Sequence, residues 1–310
     1  MSTGLIQRIR GPVYPILPAF TETGALDAAA VDRYCRWLVE QGARTLMVTA
    51  GTSRFNLLEL DEIHTLNRTV ARACAGRAVA VAANPQAGST RAAIAFAEAT
   101  GDSGADALLL SYPERYYDDD AVIAYVEAVA AASPIPVMIH ALPMRLASAG
   151  PASVHPFDLA LCRRAATVPN VVGMKEESGR EALKLRIMLE FADAWALVPA
   201  GGGMRNFLAC QAFGARAYLA GVANFAPAVE ETFFAHVEAG RIADARAIVR
   251  DRELPFFDTA VPIGWHTALK AAMALKGLFP PHERAPLRPP SPAQLERLAA
   301  CMRALGWLDG

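Results

Sequence analysis

Apolar positions along this 310-residue chain follow two patterns that alternate. Short apolar or β-branched runs recur at residues 13–17, 45–49, 78–82, 107–110, 137–139, 171–174, 196–198 and 217–220. Runs of this length without polar alternation suit strands buried on both faces. An amphipathic stretch comes after each run, starting near Asp27, Leu60, Ser89, Asp119, Phe157, Arg180, Met204 and Ala226. Asp27, Ser89 and Asp118 stand where helix N-caps belong. Strand–helix alternation predicts a parallel sheet, and eight units predict a closed (β/α)8 TIM barrel over residues 1–240. From residue 241 to 310 no strand-like run appears. Helical periodicity at 241–254, 263–278 and 292–305 predicts a C-terminal helical domain, and six prolines make the stretch 279–292 extended. The expected fold class is therefore α/β, a TIM barrel with a C-terminal helical appendix.

Composition narrows the function classes. Hydrophobic residues make up 53% and charged residues 20%, which excludes disorder and allows a large core. With 30 basic and 31 acidic residues the net charge is −1, so a nucleic-acid or anionic-membrane partner is not expected. No apolar run approaches the ~20 residues of a membrane span. Residues 1–20 have no apolar segment before Arg8 and Arg10, and Pro12, Pro15 and Pro18 interrupt the apolar residues after them, so no secretory signal is expected. The five cysteines are odd in number and form no C-x-x-C pair, which reads as small buried side chains in a reducing cytoplasm. The six histidines show no paired-ligand spacing, and neither a metal nor a cofactor is expected.

In such barrels chemistry sits at the carboxyl ends of the strands. The polar residues placed there are Thr52 and Ser53, Asn84, Ser111 and Tyr112, His140, Lys175 and Glu176, the Gly201–Gly202–Gly203 run, and Gly221 with Asn224. Lys175 stands out: four apolar or small residues run directly into it in VVGMKEES. Burial strips hydration from an ammonium and frees the amine as a nucleophile suited to Schiff-base chemistry with a carbonyl substrate. The plain alternative is a lysine snorkelling to solvent beside Glu176 and Glu177.

The residues around this lysine resemble the dihydrodipicolinate synthase / N-acetylneuraminate lyase family, nearly end to end. The family's Gly-Ile-Lys-Asp motif is matched by Gly173, Met174, Lys175 and Glu176. Its block ahead of the last barrel helix is echoed by Gly214, Ala215, Ala217, Leu219, Asn224 and Pro227. Its C-terminal signatures are echoed by Leu269, Lys270 and Gly277, and by Arg284, Pro286 and Leu287. The resemblance implies a (β/α)8 barrel with a helical C-terminal domain, usually tetrameric, and a Schiff base between Lys175 and pyruvate or another 2-keto acid. The family's carboxylate loop Gly-Thr-Thr-Gly-Glu corresponds to Gly51, Thr52, Ser53, Arg54 and Phe55. Thr52 and Ser53 would hold the keto-acid carboxylate in a small anion nest ahead of a helix. The spacing through Gly51, Thr52, Phe55, Leu58, Asp61 and Glu62 is closer to the sugar-acid dehydratase branch, similar to 5-keto-4-deoxyglucarate dehydratase. Arg54 reads either as a second carboxylate clamp or as a surface arginine paired with Glu59 or Glu62.

The family's proton-relaying tyrosine after the fifth strand is replaced by His140, while Pro143 and Arg145 match. Three roles are open to His140: proton relay, substrate contact without proton transfer, or a structural histidine in a degenerate site. Arg145 matches a position where some members bind a second carboxylate. Tyr112, ahead of Tyr116 and Tyr117, is the preferred counterpart of a family tyrosine that reaches a neighbouring subunit. The acidic run Asp118–Asp120 reads as a helix cap with dipole-complementing charge. Gly201 and Gly202 read as shaping the substrate pocket, although barrels often bind phosphate after the seventh strand. The sequence therefore predicts a Schiff-base lyase acting on a 2-keto acid, by aldol cleavage, condensation or dehydration. A phosphate-ester enzyme and a non-catalytic keto-acid-binding protein on the same barrel are the alternatives.

Overall fold

The computed structural model describes residues 2–85, 88–146 and 154–309. Eight parallel strands form one sheet: Gly11–Pro15, Thr45–Val48, Val79–Ala83, Ala107–Ser111, Val137–Ala141, Val171–Glu176, Ala196–Pro199 and Ala217–Leu219. They are called strands one to eight. From one to seven, each pairs with the next in the chain, and strand one also pairs with strand eight. Strands seven and eight lie side by side and complete a nearly closed barrel. Every predicted strand is present, its ends shifted by no more than a few residues.

The apolar runs are continuous because both faces of the strands are covered. Val13, Met47, Val81, Leu109, Met138 and Val198 point inward and fill the barrel. Leu46, Ala80, Leu108 and Ile139 point outward into the layer beneath the helices. A short helix, Ser2–Arg8, has no counterpart in the predicted elements; its Leu5, with Ile9 just beyond it, joins the inward cluster and closes one mouth of the barrel. The N-caps at Asp27, Ser89 and Asp118 form as predicted, each side chain accepting a backbone N–H of the first turn. A small sheet of Arg115–Tyr116, Met144–Leu146 and Val154–His155, also absent from the predicted elements, stands outside the barrel.

Beyond residue 240 the described residues are helical or irregular. Ile242–Ile248 and Leu254–Ala260 are joined through one π-helical turn, Val249–Glu253. The sequence predicts a stop at Leu254, before Pro255. Proline is tolerated in the first turn of a helix, so the chain continues instead. Trp265–Leu275 and Pro292–Ala304 come next, and the proline-rich stretch between them contains no helix or strand. No helix among the described residues is long and apolar enough to cross a membrane.

Candidate active site

Strand register brings three polar side chains together. Ser111, His140 and Lys175 are ladder partners on strands four, five and six. With inward and outward positions alternating along each strand, partners in register point the same way, here into the barrel. Lys175 is 2% exposed, so it does not snorkel to solvent. Its Nζ lies 2.8 Å from His140 Nε2 and donates to Glu177 Oε2. His140 Nε2 is 2.9 Å from the same Glu177 oxygen, and its Nδ1 is 3.1 Å from Ser111 Oγ. Asn84 secures the far end: its amide donates to the Ser111 carbonyl at 3.2 Å and its Oδ1 accepts the Ser111 N–H at 2.6 Å.

The electrostatics come from burial and charge. Burial, then the positive charge of Lys175, pushes His140 down to about 4, so the imidazole is neutral at neutral pH. Burial acts to raise the Glu177 carboxyl, but its hydrogen bond to His140 and the Lys175 charge outweigh this and bring it to about 2. The resting site is thus a carboxylate beside a lysine, with a neutral imidazole in reach of both. The sequence marks Glu177 only as a solvent-side neighbour of the lysine. The distinguishing signal, the turn of chain after strand six, is not encoded locally.

Glu177 opens onto a cavity of about 250 Å³ whose lining includes Thr52, Gly201, Gly202, Arg205 and His266. Thr52 arrives on a short 3-10 turn, Gly51–Ser53. Among the described residues its hydroxyl has no protein partner. Gly201 carries no side chain into the open space in front of it. Glu177, which bonds both Lys175 and His140, also lines this cavity and so connects that pair to the space bordered by Thr52, Gly201 and Gly202.

Three expected residues, Ser53, Arg54 and Arg145, are placed away from the expected contacts. The Ser53 hydroxyl is fully buried and donates to the Ile16 carbonyl, away from the cavity. Arg54 is neither a free clamp nor a surface residue: it is 2% exposed and bidentate to Glu283 at 2.7 and 3.0 Å. Its other bonds go to the carbonyls of Thr52 and His266, so four of its five N–H donors are committed within the protein. Arg145 stands exposed on the outer sheet, paired with Glu114. Tyr112 packs edge-on against Tyr125, ring centroids 5.3 Å apart, whereas Tyr117 is the exposed tyrosine of that loop.

One observation weighs against the phosphate alternative. At the start of helix Gly203–Gln211, the Met204 and Arg205 N–H groups donate to Glu253 at 2.6 and 3.0 Å. The chain's own carboxylate thus occupies the place a phosphate would take at this helix N-terminus. Gly203, at φ +54°, has no room for a side chain, because a Cβ there would lie 2.4 Å from Glu253 Oε1.

Residues 8–305 match the Dihydrodipicolinate synthetase family. The chain belongs to this family. A 4-hydroxy-tetrahydrodipicolinate synthase of Thiobacillus denitrificans is 30% identical over 96% of this chain and 97% of its own length. A probable 5-dehydro-4-deoxyglucarate dehydratase of Polaromonas naphthalenivorans is 27% identical over 93% of this chain and 92% of its own length. The dihydrodipicolinate synthase of Oceanobacillus iheyensis superposes with a TM-score of 0.86 at 20% identity, covering 99% of this chain and all of that one. That likeness bears on fold and agrees with the barrel described above.

Proposed function

We propose that this member of the family is a Schiff-base lyase acting on pyruvate or a longer 2-keto acid. The observation that carries the reading is the buried Lys175 amine, held against His140 and Glu177 at the edge of the Thr52 cavity. Thr52 binds the keto-acid carboxylate through its hydroxyl, which faces the cavity. Lys175 attacks the keto carbon, and the proton it sheds passes to Glu177 or His140. Loss of water leaves an iminium that withdraws electrons from the adjacent carbon. His140 then moves protons at that carbon, in the role the family gives to a tyrosine, with Ser111 and Glu177 orienting its ring. Aldol cleavage, aldol condensation and dehydration of a 2-keto-3-deoxy acid all proceed from that iminium.

The test is intact mass after borohydride reduction with pyruvate, on wild type and Lys175→Ala. A single reduced adduct in wild type, absent in the variant, is expected. If neither pyruvate nor any longer 2-keto acid traps, the lysine is not the nucleophile and the proposal fails.

A further inference from the structure

His266 is a second imidazole at the cavity, on a different element from the lysine cluster. It sits in the first turn of helix Trp265–Leu275, in the C-terminal region, and lines the cavity with Thr52 and Glu177. Unlike His140, it is exposed, and among the described residues its ring has no hydrogen-bond partner. Its backbone, by contrast, is anchored. Arg54 Nη2 donates to the His266 carbonyl at 2.8 Å, and Arg54 is itself pinned by the buried Glu283. The preceding residue, Trp265, stacks on Phe257 with centroids 4.5 Å apart and fills the space beside Gly221. A rigid backbone therefore presents a free imidazole to the space next to the lysine.

We infer that His266 is a second catalytic residue: it takes the proton from the C4 hydroxyl of a Lys175-bound 4-hydroxy-2-keto acid during aldol cleavage. This inference rests on the Schiff-base reading above. The C3–C4 bond breaks, and its electron pair moves to C3 and into the iminium, giving an enamine. The C4 hydroxyl proton goes to His266, and C4 leaves as an aldehyde. The enamine is protonated at C3 through the His140–Glu177 pair, which draws the proton from solvent in the cavity while His266 returns its own to solvent, and water releases pyruvate from Lys175. In condensation the same imidazole returns the proton to the new hydroxyl. Two imidazoles are placed to divide the proton transfers at C3 and at the C4 oxygen. His140 is sealed against the lysine, while His266 faces the open part of the cavity. Desolvation within the cavity, then the charge of Arg54, lowers the affinity of His266 for a proton, as a base at neutral pH requires.

The experiment compares wild type with His266→Gln and His266→Asn in three assays. The first is borohydride trapping of pyruvate. The second is deuterium exchange into the pyruvate methyl group, which uses Lys175, His140 and Glu177 alone. The third is pyruvate release from 4-hydroxy-2-oxopentanoate and 2-keto-3-deoxygluconate. Trapping and exchange should stay within about 2-fold, while kcat for cleavage falls by about 100-fold or more with little change in KM. Equal unfolding temperatures would confirm that both variants are folded. Cleavage at wild-type rate, or exchange and cleavage falling together, overturns the inference. So does a wild type that traps and exchanges pyruvate but cleaves neither substrate. A wild type that traps no keto acid overturns the parent proposal, and this one with it.

Discussion

Gly173 lies two residues before Lys175 on strand six, where the neighbouring strand comes unusually close. A Cβ at this position would lie 2.5 Å from the Ala196 carbonyl oxygen and 3.1 Å from the Met138 methyl. The first is ladder backbone and cannot yield, while the second, a methionine methyl in the barrel interior, must give by a few tenths of an ångström. The glycine is therefore a packing requirement of the strand that carries the lysine. Gly173→Ala should lower stability by about 1–3 kcal/mol through overpacking, read as a lower urea midpoint. It should also slow borohydride trapping, because any strand shift that relieves the clash moves Lys175 against His140. A variant as stable as wild type would mean that the strands adjust freely.

At the scale of elements, the turn after strand two is tied to the C-terminal region by a buried ion cluster. Arg54, at φ +53°, reaches Glu283 of the proline-rich segment, and Lys270 lies 3.4 Å from the same carboxylate. Lys270 also sits over the Phe20 ring, 4.5 Å from its centroid. Burial pulls Lys270 down to about 8, with Glu283 acting against the shift. Breaking such a pair by removing one partner leaves an uncompensated buried charge. Glu283→Ala should therefore cost about 3–5 kcal/mol. The double variant Arg54→Ala/Glu283→Ala should recover much of that loss, because Lys270 can shed its proton whereas an arginine cannot. Urea unfolding of the two single variants and the double variant gives the coupling directly, and additive losses would show that the pair is not coupled. The cluster also explains why a C-terminal appendix belongs to the site. It sets the position of the Thr52 turn and of the His266 backbone at once.

For the whole molecule, the notable feature is a pair of buried carboxyls where the barrel meets the C-terminal helices. Burial, then the charge of Glu253, raises Glu230 to about 8; burial raises Glu253 to about 7 despite its two backbone donors. Both therefore keep protons in the folded state that they lose near 4.5 when unfolded. In that window the native state binds more protons, so stability falls as pH rises from about 4.5 to about 8 and is level above it. Glu177 has the opposite sign: depressed to about 2, its contribution is complete above 4.5 and is lost as pH falls toward 2. His140, pushed down to about 4, adds to the acid limb, since protonation below about 6.5 favours the unfolded chain. Glu230→Gln keeps an acceptor for the Tyr218 hydroxyl, which now donates to Glu230 at 2.7 Å. The stability difference between this variant and wild type should shift in the variant's favour by on the order of 2–4 kcal/mol between pH 5 and pH 8.5. Urea midpoints at the two pH values measure it, and an unchanged difference would show that Glu230 is ionised when folded.

The chain by itself determined the barrel and the lysine. Strands buried on both faces need unbroken apolar runs, and the intervening helices need amphipathic ones, so eight repeats of that pattern are legible without coordinates. Lys175 is legible because it interrupts such a run at its carboxyl end, and the caps at Asp27, Ser89 and Asp118 because capping is local. What only the tertiary structure decided is where long side chains end up. Arg54 meets Glu283 across 229 positions of chain, Glu253 reaches the start of helix Gly203–Gln211 from the C-terminal region, and His266 arrives at the cavity on a helix beyond the barrel. Periodicity records which face of an element is buried, not which distant element covers it. The partners of Arg54, the filling of the helix N-terminus, and the company Lys175 keeps are properties of the closed fold alone.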